Sequence, residues 1–317
     1  MLGPMFAVSA VRIDSKDPLS GLELGERDEP TPRPGWTTVT VKAAALNHHD
    51  LWTLRGVGIT EDKLPMILGC DGAGLDEDGN EVIIHSVVDP RDGKPSILTE
   101  AYDGTFAQKV LVPKANLVPK PTALSWEQAA CLPTAWLTAY RMLFRNSGLR
   151  PGDTVLIQGA GGGVATAAIV LARAAGFRVW TTSRSEEKRA RAVELGAHAA
   201  FESGARLPER VDAVMETVGA ATWSHSVKSL RPEGTIVISG ATSGAMPPAE
   251  LTRVFFLQLR IIGSTMGSLD ELKALARLCD TTDVRPVVDS VMPLAQARTG
   301  FERMEQGEAF GKVVFTL

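Results

Sequence analysis

The chain has 317 residues, of which 44% are hydrophobic and 22% charged, with a formal net charge of −4. That length predicts about two domains, and the composition excludes wholesale disorder. With no block of like charge, a nucleic-acid or membrane-surface role has no electrostatic basis.

Cys70, Cys131 and Cys279 lie far apart without a CxxC spacing. This excludes a disulfide scaffold or a cysteine-built zinc lobe and suits a reducing cytosol. No basic segment followed by an apolar core opens the chain, so no secretory signal is read. Met5 is a candidate start, because Phe6 begins the first strand-like run.

The first ~120 residues read as an antiparallel β domain, with apolar runs at 38–41, 81–85 and 106–112 divided by turn dipeptides. Asp78-Gly79 and Asp103-Gly104 are two of those turns, and prolines 30, 32 and 34 ahead of Gly35 form another. Ser125 has the chemistry of an N-cap, with Gln128 three residues on, and predicts a helix there. From 153 to 263 strand and helix alternate. Strands are predicted at 155–158, 178–182, 213–216 and 235–239, helices at 186–195 and 222–230, which implies a parallel sheet. A helix over 269–280 and a strand over 311–317 close the chain. The uncharged stretch 154–172 has the length of a membrane span, but four glycines and Gln158 break it into strand, turn and helix.

The turn GAGGGVA, Gly159 to Ala165, sits between an apolar strand and an alanine-rich helix. Glycines let the backbone approach a pyrophosphate, so Gly161, Gly162, Gly163 and Val164 are candidate dinucleotide contacts. An NAD site usually carries an acid about 20 residues on, at the end of the second strand. Here that strand runs into Ser183-Arg184-Ser185, with no acid before Glu186. Arg184, helped by Ser183 and Lys188, offers donors for a 2′-phosphate, which points to NADP(H). The plainer alternative is a solvated helix start. Thr217, Val218, Gly240, Ala241 and Thr242 follow strand ends, where open α/β sheets bind ligands.

Several landmarks run in order along nearly the whole chain: ALNHHDLWTLRG (45–56), PMILGCDGAG (65–74), DGTFAQKVLVP (103–113), LTAY (137–140), GAGGGVA, ISGATSG (238–244) and GKVVF (311–315). In these the chain resembles the medium-chain dehydrogenase/reductase superfamily. The resemblance implies an α/β protein of two domains. One is a GroES-like antiparallel β catalytic domain, 1–125 completed by 264–317. The other is a doubly wound parallel-sheet Rossmann domain, 126–263. It also implies a homodimer through 234–244 and 254–257, unless that apolar segment packs within the monomer.

The zinc ligands of the alcohol dehydrogenases would fall at Asn47, at Cys70 with Asp71, and at Thr134. Only Cys70 is a strong ligand, and 90–103 holds no cysteine for a structural zinc, so no metal is expected. An unusual site from His48, His49, Asp50, Cys70 and Asp71 is the alternative. Asn47 within LNHHD resembles the quinone oxidoreductase branch. By that resemblance Asn47 lies beside the nicotinamide and hydrogen-bonds a substrate carbonyl, His48 meets the pyrophosphate, His49 relays a proton and Asp50 orients its neighbours. Thr138 in LTAY contacts cofactor. Trp52, Phe106 and Trp136 wall the substrate pocket or are simply apolar bulk.

The implied function is NADPH-dependent hydride transfer to a quinone or α,β-unsaturated carbonyl without catalytic zinc. An enoyl-thioester or alkene reductase, a zinc-type alcohol dehydrogenase relative, and a non-catalytic NADPH-binding crystallin or adaptor stay open. The expected partner is a small molecule, with neither nucleic acid nor membrane.

Overall fold

A computed structural model describes residues 3–88 and 96–317. The first part of the 90–103 segment, read above for its lack of cysteine, lies outside the described residues. The chain forms two compact units, Met1–Thr134 with Ser268–Leu317, and Ala135–Gly267.

The first unit begins with β1 (Pro4–Ala10), β2 (Leu22–Asp28), β3 (Trp36–Ala45), α1 (His48–Leu54), β4 (Met66–Ile67), β5 (Asp71–Leu75) and β6 (Glu81–Ile84). After β7 (Val87–Val88) and β8 (Ser96–Ile97) come β9 (Lys109–Pro113), β10 (Leu117–Pro119) and α2 (Trp126–Ala130). The last segment of the chain returns to this unit with α8 (Leu269–Thr281), β17 (Val288–Pro293), α9 (Ala297–Glu305) and β18 (Lys312–Thr316). Its main sheet runs β10-β6-β5-β3-β18-β17, with β9 also on β3.

β3 is the axis of that sheet. Its first half alternates burial, Thr37, Val39 and Val41 inward against Thr38 and Thr40 outward, and its end is buried on both faces. There Ala45 pairs with Asp71 on β5 and with Val314 on β18, both antiparallel. This register brings the starts of β5 and β18 close to Asn47, two residues past the end of the strand. Ser125 caps α2 as expected, accepting from the Gln128 amide at 3.3 Å while Gln128 Oε1 accepts from the Ser125 amide at 3.2 Å.

Of the two readings the sequence leaves for Phe106, pocket wall or apolar bulk, the first is corrected. The side chain is fully buried in this unit's core, edge-on to Phe301 at 6.2 Å and to Phe315 at 5.1 Å between centroids. A ring in that position contributes packing, not substrate contact.

The second unit carries α3 (Leu137–Arg141), β11 (Thr154–Gln158), α4 (Gly163–Ala174), β12 (Arg178–Thr182), α5 (Glu186–Glu194), β13 (Ala199–Phe201), β14 (Val211–Glu216), α6 (Ala220–Ser229), β15 (Leu230–Ile238), α7 (Leu251–Phe256) and β16 (Arg260–Gly263). Its six strands are all parallel in the order β13-β12-β11-β14-β15-β16. The order reverses at β11, and in such doubly wound sheets the crevice at the carboxyl ends of the strands around that point is the ligand site. The uncharged stretch 154–172 is therefore β11, a glycine turn and most of α4, held over a core that includes Leu156, Val214 and Ile236. Among the described residues no helix is long and apolar enough to cross a membrane.

Candidate active site

At the end of β11, Gly159 takes φ +81°, a left-handed value that a side chain disfavours. Gly162 is the N-cap of α4 with no side-chain cap, and the space where its Cβ would stand is open. The first amides of a twelve-residue helix thus face a gap with no side chain of their own to satisfy them, the arrangement that suits a phosphate. Gly161 is more crowded: a Cβ there would stand 2.8 Å from Lys188 Cδ and 2.9 Å from its Nζ. Lys188 therefore lies over the glycine turn. Gly163 and Val164 open the helix, both half-buried.

β12 ends at Thr182. Ser183 is buried, and its Oγ accepts from the Ser185 amide at 3.2 Å. The Arg184 guanidinium is exposed, and its backbone is fixed by a residue the sequence reading passed over. Arg189 Nη1 donates to the carbonyls of Ser183 at 2.8 Å and Arg184 at 3.2 Å.

Two further loops close this end of the sheet. The Val218 carbonyl accepts from both the amide and the hydroxyl of Ser243, each at 2.7 Å. Thr242 reaches the Thr217 carbonyl at 3.5 Å, and a Cβ on Gly240 would stand 3.0 Å from that same oxygen. Gly240 is thus needed for close approach, and Ala241 follows it half-buried. Glu216 is fully buried and accepts from the amides of Val218 and Gly219 and the hydroxyls of Thr222 and Ser226, which sets the β14 loop. Thr138 sits buried on α3.

In the first unit, Asn47 lies two residues past β3 and caps α1 from an extended conformation. Asp50, fully buried in the first turn, accepts from the Asn47 amide and the Gly69 amide, both at 2.9 Å. Burial pushes its carboxyl up to about 7, against the pull of those two amides and of Lys312. It ties the start of α1 to Gly69 through those two amides.

Asn47 is read from the sequence as a hydrogen-bond donor to a substrate carbonyl, and both of its amide hydrogens are engaged within the protein. Nδ2 donates to Asp71 Oδ2 at 2.9 Å and to the Ala45 carbonyl at 3.2 Å, while Oδ1 accepts from Lys312 Nζ at 2.5 Å. Lys312 is 2% exposed and spends its other two donors on the Leu46 carbonyl at 2.7 Å and Asp71 Oδ2 at 3.1 Å. This buried ammonium, on the first residue of β18, is the group that sequence reasoning missed. The only signal was a charged residue in the apolar run GKVVF.

Around this cluster stand the two histidines of LNHHD. His49 Nε2 lies 3.7 Å from Glu100 Oε1 and makes no hydrogen bond, and desolvation lowers its pKa against the opposing pull of Glu100. His48 is exposed as a residue, yet desolvation by the surrounding protein and then the charges of Lys312 and Arg55 lower its pKa as well. Trp52 is half-buried on α1. Trp136 is a correction: it is fully enclosed, with its indole N–H unpartnered, and has no open face for a substrate.

Sequence comparisons match the alcohol dehydrogenase GroES-like domain at residues 33–122 and the zinc-binding dehydrogenase family at 163–281. The acryloyl-coenzyme A reductase of Metallosphaera sedula is 30% identical, the match covering 93% of this chain and 96% of that protein. The chain belongs to the medium-chain dehydrogenase/reductase superfamily. Among solved structures, an NAD-dependent alcohol dehydrogenase is 36% identical with a TM-score of 0.90, covering 99% of this chain and all of that one. A crotonyl-CoA carboxylase/reductase variant in complex with NADP is 25% identical with a TM-score of 0.88, covering all of this chain and 96% of that one. The second unit is the NAD(P)-binding Rossmann domain of this superfamily.

The zinc that many members of this superfamily carry does not fit the residues at its expected position. A carboxamide oxygen, Asn47 Oδ1, and a carboxylate oxygen, Asp71 Oδ2, are both taken by the Lys312 ammonium, and a second cation there would be repelled. Cys70 turns its thiol to the Leu98 carbonyl at 3.4 Å. Burial, with Asp50 and Asp71 beside it, pushes that thiol well above its ordinary range, away from the thiolate that zinc needs. Among the described residues no three His, Cys, Asp or Glu side chains are grouped to hold a metal.

Proposed function

We propose that this protein is an NADPH-dependent reductase that transfers hydride, without zinc, to a carbon–carbon double bond conjugated to a carbonyl or to a quinone. The observation that carries the reading is the corner at the end of β12, where Arg184 presents an exposed guanidinium and the first acid is Glu186, already on α5. A guanidinium fork suits a 2′-phosphate, and the strand end carries no carboxylate before Glu186 to hold the free ribose hydroxyls. The glycine turn with Lys188 over it supports a pyrophosphate beside it.

NADPH, when bound, supplies the hydride. The chain supplies the rest. Addition to a quinone or an unsaturated carbonyl gathers negative charge on oxygen, which calls for hydrogen-bond donors when no metal is present. Asn47 is the donor, by exchange of its longer bond to the Ala45 carbonyl, and His49 with water returns a proton to the product. Oxidation of a simple alcohol is less favoured, because a metal would be the group that lowers the alcohol pKa. The likeness to enoyl-CoA reductases supports an enoyl thioester as one acceptor within the same class.

The test is NADPH oxidation followed against quinones, enones, enoyl thioesters and aldehydes, with metal analysis of the same preparation. Turnover of a conjugated acceptor, unchanged by a chelator and with far less than one zinc per chain, is expected. About one tightly held zinc, lost together with activity, overturns the zinc-free reading.

We also propose a homodimer through β16 and α7. The strand within 234–244, read from the sequence as the dimer strand, belongs to β15, which is paired on both sides, so the open edge is β16. β16 is the outer strand of the six-stranded sheet, and Ile261 on it is 42% exposed, with Phe255 and Phe256 on α7 at 63% and 73%. An open strand edge beside exposed aromatic rings is the surface a second copy would cover.

A further inference from the structure

We propose that Lys312 is a positioning residue: a built-in ammonium that fixes the polarity of the Asn47 amide, so that Asn47 can act only as a donor toward the acceptor's developing oxyanion. For turnover this rests on the reductase reading above.

An asparagine side chain has a donating and an accepting end of nearly the same shape, and its surroundings decide which end faces which way. An ammonium can only donate. At 2.5 Å from Lys312 Nζ the Asn47 end must therefore be Oδ1, since the opposite orientation would set an NH₂ group against an NH₃⁺ group. Asp71 adds the same instruction from the other side, because its Oδ2 lies 2.9 Å from Asn47 Nδ2 and a carboxylate can only accept. One amide hydrogen is held by that charged partner. The other goes to a neutral acceptor, the Ala45 carbonyl, at a longer 3.2 Å. This weaker bond is the one an anionic substrate oxygen would displace, since hydrogen bonds to charged groups are about twice as strong.

Lys312 does not meet the substrate itself. It is 2% exposed, and all three of its donors are used within the first unit. The sheet explains how it arrives there: Val314 pairs with Ala45 across antiparallel strands, so Lys312, two residues earlier, comes level with Asn47. A cation joins the same two residues that would be metal ligands in a zinc-dependent relative, and it does so from the backbone of the fold.

The experiment compares wild-type protein with Lys312→Met, Asp71→Asn, the pair together, and Lys312→Arg. Lys312→Met alone leaves the Asp71 carboxylate buried without its partner and is expected to melt far below wild type. The paired variant removes both charges, so it should melt closer to wild type than Lys312→Met and bind NADPH within about twofold of it, while kcat falls about tenfold or more and acceptor KM changes less. Lys312→Arg, which still only donates, should recover part of that kcat. Wild-type kcat in the paired variant overturns the proposal.

A second readout needs no turnover. The Asn47 side-chain amide resonance, assigned by its loss in Asn47→Asp, should be protected from solvent exchange in wild type and lose protection in the paired variant. Unchanged protection also overturns the proposal. If wild type turns over no acceptor, the reductase reading fails while this amide measurement still decides the role of Lys312.

Discussion

The 2′-phosphate is the only difference between NADPH and NADH, so cofactor preference has to come from side chains that meet it. Arg184, exposed and with its backbone fixed by Arg189, is the one offered for that contact. A hydrogen bond to a charged group contributes roughly 1.5–3 kcal/mol, and exposure and salt push this toward the low end. Arg184→Ala should therefore weaken NADPH by about tenfold while NADH changes little, as read by fluorescence titration of both cofactors. Equal losses would mean that Arg184 supports the fold instead. For Asn47→Ala, turnover should fall on the order of 10²-fold, with a smaller effect on NADPH affinity. The same change strips one acceptor from Lys312 and one donor from Asp71, so the melting temperature should fall too. Wild-type turnover in that variant would remove Asn47 from the reaction. Residues of this kind divide sharply in how legible they were. The glycines and Arg184 announce themselves by local pattern. Lys312 does not, because its partners, Asn47 and Asp71, are 265 and 241 residues away in the chain.

Elements were more legible than single side chains. The alternation of short apolar strands with helices from 153 to 263 follows from burial on both faces of a parallel sheet, and β12 falls on the predicted 178–182. β13 and β16 were missed for a physical reason. They have three and four residues and lie at the two edges of the sheet, half-buried or exposed, so they lack the apolar run that marks a central strand. The core of the first unit was legible as strands but not as packing: nothing local tells that Phe106 meets Phe301 and Phe315. β16 and α7 also carry the dimer prediction. Phe255 and Phe256 stack at 4.8 Å between centroids while largely exposed, which leaves an apolar face on a short helix. Phe255→Asp with Phe256→Asp should convert a dimer to a monomer in sedimentation velocity, without loss of the far-ultraviolet signal of the fold. A wild-type monomer at working concentration would sink the proposal.

At the scale of the whole molecule, the buried cluster links stability to pH, and the sign can be worked out group by group. Asp50 has its carboxyl raised from 3.8 to about 7, so the folded state holds a proton that the unfolded state releases. Its contribution to stability is fully present below about pH 4 and is lost as pH rises through 7. His48 and His49 run the other way: with pKa values lowered below 6.5, their contribution is present above 6.5 and is lost as pH falls. Between about pH 4 and 6.5 the two effects oppose one another, and Asp50 blunts the acid loss that the histidines cause. Asp50→Asn removes that compensation. Asparagine offers one acceptor oxygen where Asp50 takes two backbone amides, from Asn47 and Gly69, so the variant should be less stable at every pH. Its deficit should nevertheless shrink as pH rises from 5 to 7, by at most roughly 1.4 kcal/mol per pH unit and by about half that near pH 7, since only wild type releases a proton on unfolding in that range. Denaturant midpoints of both proteins at pH 5, 6 and 7 measure this. A deficit that stays constant across the three would show that Asp50 is ionised in the folded protein throughout, with the two amides outweighing its burial.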